Sequence, residues 1–365
     1  MTAISAKRYR LPMDEFLICG MQQVGVGVPN LEDAARWYRR VFGTDIRIFE
    51  DDGVASLMGT YTGGVPQHRK AQLAVNLQGG AGLEIWQYKS RAPRSAEFEV
   101  RPGDLGICRT RIKARNPADS HARMVGAGIE GLGELRIDPS GSPSFILRDP
   151  MGFMHQIVEG QEWFTSGSSL TGGVSGCMIG VSRMDESIEF YRKVLGYDTI
   201  IYDVEGSSSD LEESFDAPRR LRRVLLGRRA PSSGAFGPLL GTSRIELVQA
   251  VNHAPRRIFS NRFWGDLGYI HVCFDVRGMD ALKRHCGSCG FPFRIDSGEA
   301  FLMGEASGRF AYVEDPDGTL IEFVETYQLP LVKKLGLKID LRRRPASKPL
   351  SRWLLRALAF NRIRD

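Results

Sequence analysis

The sequence predicts an α+β fold: four modules, each a strand, a helix and three more strands (βαβββ), paired into two open eight-stranded barrels and followed by a basic helical tail. Three observations carry this reading. The first is an internal repeat, in which Trp37-Tyr38-Arg39-Arg40-Val41-Phe42-Gly43 returns as Phe190-Tyr191-Arg192-Lys193-Val194-Leu195-Gly196, and Asp149-Pro150-Met151-Gly152 returns as Asp315-Pro316-Asp317-Gly318. Two further anchors recur in the same order: Leu83-Glu84-Ile85-Trp86-Gln87 as Ile245-Glu246-Leu247-Val248-Gln249, and Gly103-Asp104-Leu105-Gly106 as Gly265-Asp266-Leu267-Gly268. Repetition of four anchors makes residues near 20–160 and near 173–326 two copies of one unit. The second observation is that each copy divides again into two similar quarters. The third is that each quarter switches period in the order strand, helix, strands.

The first quarter opens with Val24, Val26 and Val28 alternating with small residues, which is strand periodicity. Residues 31–42 then place Leu31, Ala35, Tyr38 and Phe42 on one helical face, and Gly43 sits where a helix needs a left-handed C-cap, as Gly196 does in the repeat. Residues 71–77 and 82–88 read as two strands joined at Gly79-Gly80. The second quarter has a strand at 107–114, a helix at 117–126, a strand at 144–147, the DPxG turn, and a strand at 154–158.

Size and composition suit two domains: 365 residues, 42% hydrophobic and 25% charged. Residues 161–175, with Ser166-Gly167-Ser168-Ser169 and Gly172-Gly173, read as the linker. No run approaches the roughly 20 apolar residues of a spanning helix, and the first residues have no secretory pattern, so a cytoplasmic location is expected. Six cysteines lack a framework spacing, as a reducing compartment predicts, and the lone Cys286-Gly-Ser-Cys289 reads as a helix end rather than half a zinc site.

From Leu329 onward, eleven Lys or Arg face two Asp, a net of +9 in a chain of net +6, so the basicity is local. Pro349 can open a helix whose stripe of Leu350, Trp353, Leu354, Ala357 and Leu358 either packs on the protein's own body or a partner subunit, or lies on an anionic membrane. Leu331, Leu335, Leu337 and Leu341 also need cover, which favours packing on protein. No recognised nucleic-acid module accompanies the charge, so no nucleic-acid partner is expected.

The pattern of strand, helix ending in FYRxVLG, xxLEL strand and DPDGxxIEF resembles the vicinal oxygen chelate superfamily of glyoxalase I, methylmalonyl-CoA epimerase, extradiol dioxygenases and the bleomycin and fosfomycin resistance proteins. The resemblance implies an N-terminal glyoxalase-like domain at 18–160, a C-terminal one at 173–327, and an added tail at 328–365. It implies that two successive modules curve into one barrel and that metal ligands come from the first and last strands of each module.

Carried over residue by residue, the resemblance implies a C-terminal metal site of Glu246, His271 and Glu322. His271 comes from the HVxF-like strand Ile270-His271-Val272-Cys273-Phe274, Glu246 from the xxLEL strand, and Glu322 from the stretch after DPDG. The fourth position falls on Gly176, which cannot ligate. One imidazole and two carboxylates suit a divalent Fe, Mn, Ni, Co or Zn ion. A lone strand histidine or glutamate is ordinarily structural; three ligand-competent residues at independently matched positions are what carry this expectation. The corresponding N-terminal positions hold Gln23, Glu84, Arg109 and Gln156. Gln23 and Glu84 suit a glyoxalase-like site, but a guanidinium only donates, so this site is expected to be degenerate, with Arg109 pairing Glu84.

The implied activity is that of a metal-dependent isomerase, epimerase or lyase acting on a small carbonyl or enediol-forming substrate, with Glu246 or Glu322 as proton shuttle. An extradiol dioxygenase using Fe(II) is the alternative, although that family's usual ligands are two histidines and a glutamate. A small-molecule binding protein of the resistance type is the third reading.

Overall fold

The computed structural model describes residues 15–207, 210–211, 219–298, 301–303, 306–332 and 336–363. Lys333, Lys334, Leu335, Arg364 and Asp365 of the basic tail lie outside them. The first module comprises β1 (Leu17–Gly27), α1 (Leu31–Phe42), β2 (Ile46–Val54), β3 (His68–Val75) and β4 (Gly82–Tyr88). The second comprises β5 (Gly106–Ala114), α2 (Pro117–Gly126), β6 (Arg136–Ile137), β7 (Pro143–Arg148) and β8 (Met154–Glu159). The third comprises β9 (Val174–Gly180), α3 (Met184–Leu195), β10 (Thr199–Gly206), β11 (Leu221–Gly227), the one-turn α4 (Gly237–Leu240) and β12 (Arg244–Ala250). The fourth comprises β13 (Gly268–Arg277), α5 (Met279–Ser288), β14 (Ile295–Asp296), β15 (Phe301–Met303), β16 (Ala306–Glu314) and β17 (Leu320–Val332). The tail adds β18 (Leu337–Asp340) and α6 (Arg352–Arg356).

The helices start and stop where local chemistry directs. Asn30 accepts from Asp33 N at 3.0 Å and Asn116 from Asp119 N at 3.1 Å, satisfying amide donors that the first turn leaves without partners. Gly43 and Gly196 close α1 and α3 at φ 63° and 72°, a left-handed conformation that strains any residue with a Cβ. Cys289 caps α5, so the CxxC pair closes a helix.

Two open sheets form, as expected of four βαβββ modules, but the modules pair differently. The first runs β14-β16-β17-β13-β1-β4-β3-β2, with β15 beside β16 and β18 beside β17; the second runs β10-β11-β12-β9-β5-β8-β7-β6. Within each module the first strand lies parallel to the last, as β1 does to β4 and β13 to β17. Between modules the seams are antiparallel: β1 with β13, and β5 with β9. The first module therefore pairs with the fourth and the second with the third, correcting the expectation that successive modules share a barrel. The physical reason is that strand edges offer the same backbone donors and acceptors whichever module they come from, so periodicity identifies the strands without naming their partners.

The sequence anchors meet across this arrangement. Tyr38 of α1 donates to Asp149 Oδ2 at 2.7 Å, and Tyr191 of α3 donates to Asp315 Oδ2 at 2.9 Å. The other oxygen of each aspartate takes two turn amides, from Met151 and Phe153 or from Asp317 and Thr319. The helix of one module thus locks the DPxG turn of the next, and the two sheets share one continuous core of residues such as Phe42, Phe145, Phe190 and Phe274.

The stretch read as a linker is packed. Phe164 is buried, and Gly173 N donates to Gly79 O at 2.9 Å. The tail folds back on the body, burying Leu341, Leu350, Leu355 and Leu358 against Ile46, Phe236 and Leu240. Trp353, expected on the buried stripe, is 69% exposed. The helix stops at Arg356 and a 3-10 turn at 357–361 follows, so Leu355 and Leu358, three apart, share the inner face instead. Among the described residues no helix is long and apolar enough to cross a membrane.

Candidate metal centre

Four adjacent strands of the first sheet, β4-β1-β13-β17, each aim one polar side chain at a common point: Glu84, Gln23, His271 and Glu322. The ladder register explains the convergence. Glu84, Gly25 and His271 form one cross-strand row, and Gln23, Cys273 and Glu322 form the next, two residues along on the same face. All four ligand-type residues are buried, Glu322 being the most open at 6%.

His271 Nε2 lies 3.1 Å from Glu84 Oε2 and 3.1 Å from Glu322 Oε2, and Gln23 Nε2 is 3.5 Å from Glu322 Oε2. Despite this closeness, neither His271 nitrogen, nor Glu84 Oε2, nor Gln23 Oε1 has a hydrogen-bond partner. Buried polar atoms without partners are costly, and His271 Nε2 with Glu84 Oε2 beside it calls for a shared partner. Two ligands about 2.1 Å from one ion and at right angles to each other lie about 3.0 Å apart, which is the spacing around Nε2. Among the described residues, Glu84, His271 and Glu322 bring one donor atom each within 4.8 Å of the others. The set therefore fits a divalent cation with nitrogen and oxygen ligands.

Electrostatics agree with the geometry. Burial alone would depress the His271 imidazole, but the Glu322 and Glu84 carboxylates outweigh it and push its pKa up to about 10. Two carboxylates in a water-poor site demand positive charge, and in the metal-free protein a proton on His271 supplies it. Tyr312, opposite Glu322 on β16, is held protonated by burial and by those same carboxylates. Its ring meets the imidazole edge-on at 5.6 Å. Sequence reading missed Tyr312, although it stands three residues before the Asp315 turn anchor.

Glu246 does not join His271. It lies on β12 in the second sheet, where Arg111 Nη1 donates to it at 2.7 Å and Arg223 Nε at 2.7 Å. Arg223 is in turn held by Asp210 at 2.6 and 2.9 Å, and Arg111 donates to Gln156 Oε1 at 3.0 Å. Burial would raise the Glu246 carboxyl, yet the two guanidiniums hold it below its usual range. An ion-pair cluster thus occupies the place that a metal centre takes in the first sheet.

The expected pairing of Arg109 with Glu84 is corrected as well. Arg109 is buried in the second sheet, with burial lowering its pKa and Glu246 and Asp210 in its field, while Glu84 belongs to the first sheet. The matching registers explain the difference between the two centres. Gly25, between Glu84 and His271, corresponds to Met178 between Glu246 and Arg109; Gln23 corresponds to Gly176; and Cys273 corresponds to Arg111. A Cβ on Gly176 would sit 2.0 Å from the Arg244 carbonyl oxygen, so the close approach of β12 requires glycine there, while Arg111 Cδ would lie at an ordinary contact distance of 3.4 Å.

A cleft of about 110 Å³ opens on the first-sheet centre at Gln23, Glu84 and Glu322. A second, of about 50 Å³ between Arg69, Trp86, Trp264 and Tyr312, reaches Glu322 from another side.

Fold and site together define a tandem βαβββ protein with one candidate cation-binding centre and one ion-paired counterpart of it. Residues 173–323 match the Glyoxalase/Bleomycin resistance protein/Dioxygenase superfamily, in line with the vicinal oxygen chelate resemblance of the sequence motifs. Glyoxalase I from Zea mays superimposes with a TM-score of 0.52 at 14% identity, over 84% of this chain and 92% of that one. A Bacillus subtilis protein provisionally assigned as a dioxygenase gives 0.53 at 14% identity, over 84% and 85%. At such identities the likeness concerns fold alone. No curated protein matches the sequence.

Proposed function

We propose that the protein is a divalent-metal-dependent enzyme whose centre is Gln23, Glu84, His271 and Glu322, acting as an isomerase, epimerase or lyase on a small oxygenated substrate. The observation that carries this is the cluster of partnerless buried atoms on three adjacent strands, with the Glu322 carboxylate of the fourth beside them. A cation bound there supplies Lewis-acid stabilisation to negative charge developing on a substrate oxygen. The chain's own residues do the rest. Glu322, at the cleft wall, removes the proton from the carbon beside the carbonyl and returns it to the neighbouring atom. The Tyr312 phenol, kept neutral, faces that carboxylate and fixes its orientation. The apolar walls exclude water, which strengthens each of these interactions. Glu246 has no part in proton transfer, because Arg111 and Arg223 hold its carboxylate ionised and enclosed.

The donor set favours this reading over a ring-cleaving dioxygenase. Gln23 takes the position at which the two-histidine, one-glutamate pattern would need its second imidazole. The apolar cleft keeps the dioxygenase as second reading, since Phe49 and Phe310 offer aromatic walls to a catechol. Six free cysteines, five of them buried, suit a reducing cytoplasm, where we place the protein.

Metal analysis of untagged protein should find one divalent ion per chain, and His271→Ala should lose it. Glu322→Gln should abolish turnover, and oxygen uptake on catechols should be absent. Undiminished metal in the His271 variant would remove that residue from the centre, and oxygen uptake would move the reaction to the second class.

A further inference from the structure

We infer that the substrate is an uncharged, hydrocarbon-bearing molecule whose chelating oxygens face the Gln23/Glu84/His271/Glu322 centre, while its apolar arm runs along a cleft closed by Leu240 and Leu358. This rests on the proposed metal centre and names the substrate class for it. Beyond Gln23, Glu84 and Glu322 the cleft is walled mainly by apolar side chains such as Ile48, Phe49, Leu73 and Phe310, and Leu240 of α4 and Leu358 of the tail also line it. Among the described residues one other charged side chain lines it, Arg309, and that guanidinium is already committed. It donates to Asp296 at 2.8 and 2.7 Å and to Asp280 at 2.7 Å. An anionic arm, such as a peptide carboxylate or a phosphate, would enter a low-dielectric space where, among the described residues, no uncommitted cation meets it, and burying an uncompensated charge is costly. A hydrocarbon arm gains by leaving water, and each methylene buried strengthens binding roughly fourfold.

Leu240 and Leu358 make chain length the selected quantity. Both belong to the cluster in which the tail packs on the body, so the segment beyond the repeat forms part of the substrate wall. This gives the tail a role that its charge does not suggest.

The test uses Zn²⁺-loaded full-length protein and n-alkyl hydroxamates, bidentate metal chelators, from acetohydroxamate to octanohydroxamate, titrated calorimetrically. Affinity should rise roughly fourfold per methylene, then level off when the cleft is full. A hydroxamate ending in a carboxylate should bind far more weakly than the alkyl compound of equal length. Leu358→Trp should move the plateau to shorter chains while Zn²⁺ content is retained; Leu240→Phe is the second variant should the first not fold. In metal-free protein, 1-alkanols should still rank by length. A flat hydroxamate series, or equal affinity for the carboxylated compound, overturns the inference. If the metal centre itself is misassigned, each hydroxamate binds no better than the alkanol of equal length while both series still rank. If the cleft is misread, acetohydroxamate binds and neither series ranks.

Discussion

Adding one methyl group at Gly25 should disable the metal centre without unfolding the protein. Gly25 lies between Glu84 on β4 and His271 on β13, in ordinary strand conformation, so alanine meets no backbone strain. A Cβ there would stand 2.4 Å from His271 Cε1 and 2.7 Å from Nε2, where ordinary contact begins at 3.4 Å. The ring must therefore retreat by about 3.4 − 2.4 = 1.0 Å, while metal–nitrogen bonds tolerate only about 0.2 Å. The ring is fully buried against Tyr312, so the displacement breaks its bond to the ion rather than sliding it along. Losing one of four ligands should weaken Zn²⁺ binding by at least about 100-fold, or roughly 3 kcal/mol. Chelator competition measures this, with circular dichroism confirming the fold. Gly126→Ala, where an added Cβ meets nothing within 4 Å, is the control. Gly25→Ala with parental Zn²⁺ affinity would show that His271 does not ligate from the position described.

Arg111→Met should leave Glu246 with Arg223 as its remaining close cation and cost about 3 kcal/mol in urea unfolding, the lower end for breaking a buried pair; Zn²⁺ stoichiometry should not change, and a loss of it would mean that the second sheet shares the metal centre. Zn²⁺ uptake at pH 8 should release about one proton, because His271 holds its proton up to about pH 10 and an imidazole ligand must be neutral. Calorimetry in two buffers of different ionisation enthalpy reads that number, and zero release would refute it. In metal-free protein, the raised pKa means that His271 adds stability in full below about pH 6.5, a contribution lost as pH rises through about 10. Deleting residues from 346 onward removes buried Leu350, Leu355 and Leu358, each contributing about 1.5–3 kcal/mol. The melting temperature should fall and dye binding to exposed apolar surface should rise. Unchanged stability together with lost binding to anionic vesicles would instead make the tail a membrane element.

By itself the sequence determined the modules, the helices with their glycine C-caps, the DPxG turns and the kinds of side chain available for a cation. These are local matters: period, capping chemistry and turn residues act within a few positions, and the repeat states them twice. It also marked Glu84, His271 and Glu322 individually. Which strands would become neighbours was decided only in three dimensions. A strand's pattern fixes which face is buried, but its backbone edge pairs with any other edge, so nothing local distinguished first-with-second from first-with-fourth pairing. That choice moved Glu246 away from His271, brought Gln23 and Glu84 to it, and gave Arg111, rather than Arg109, the cation's place beside Glu246. In the tail, the charges and leucines announced an amphipathic segment. The short helix and the 3-10 turn that follows, fitted to the surface beneath, decided that Leu355 faces inward and Trp353 faces solvent.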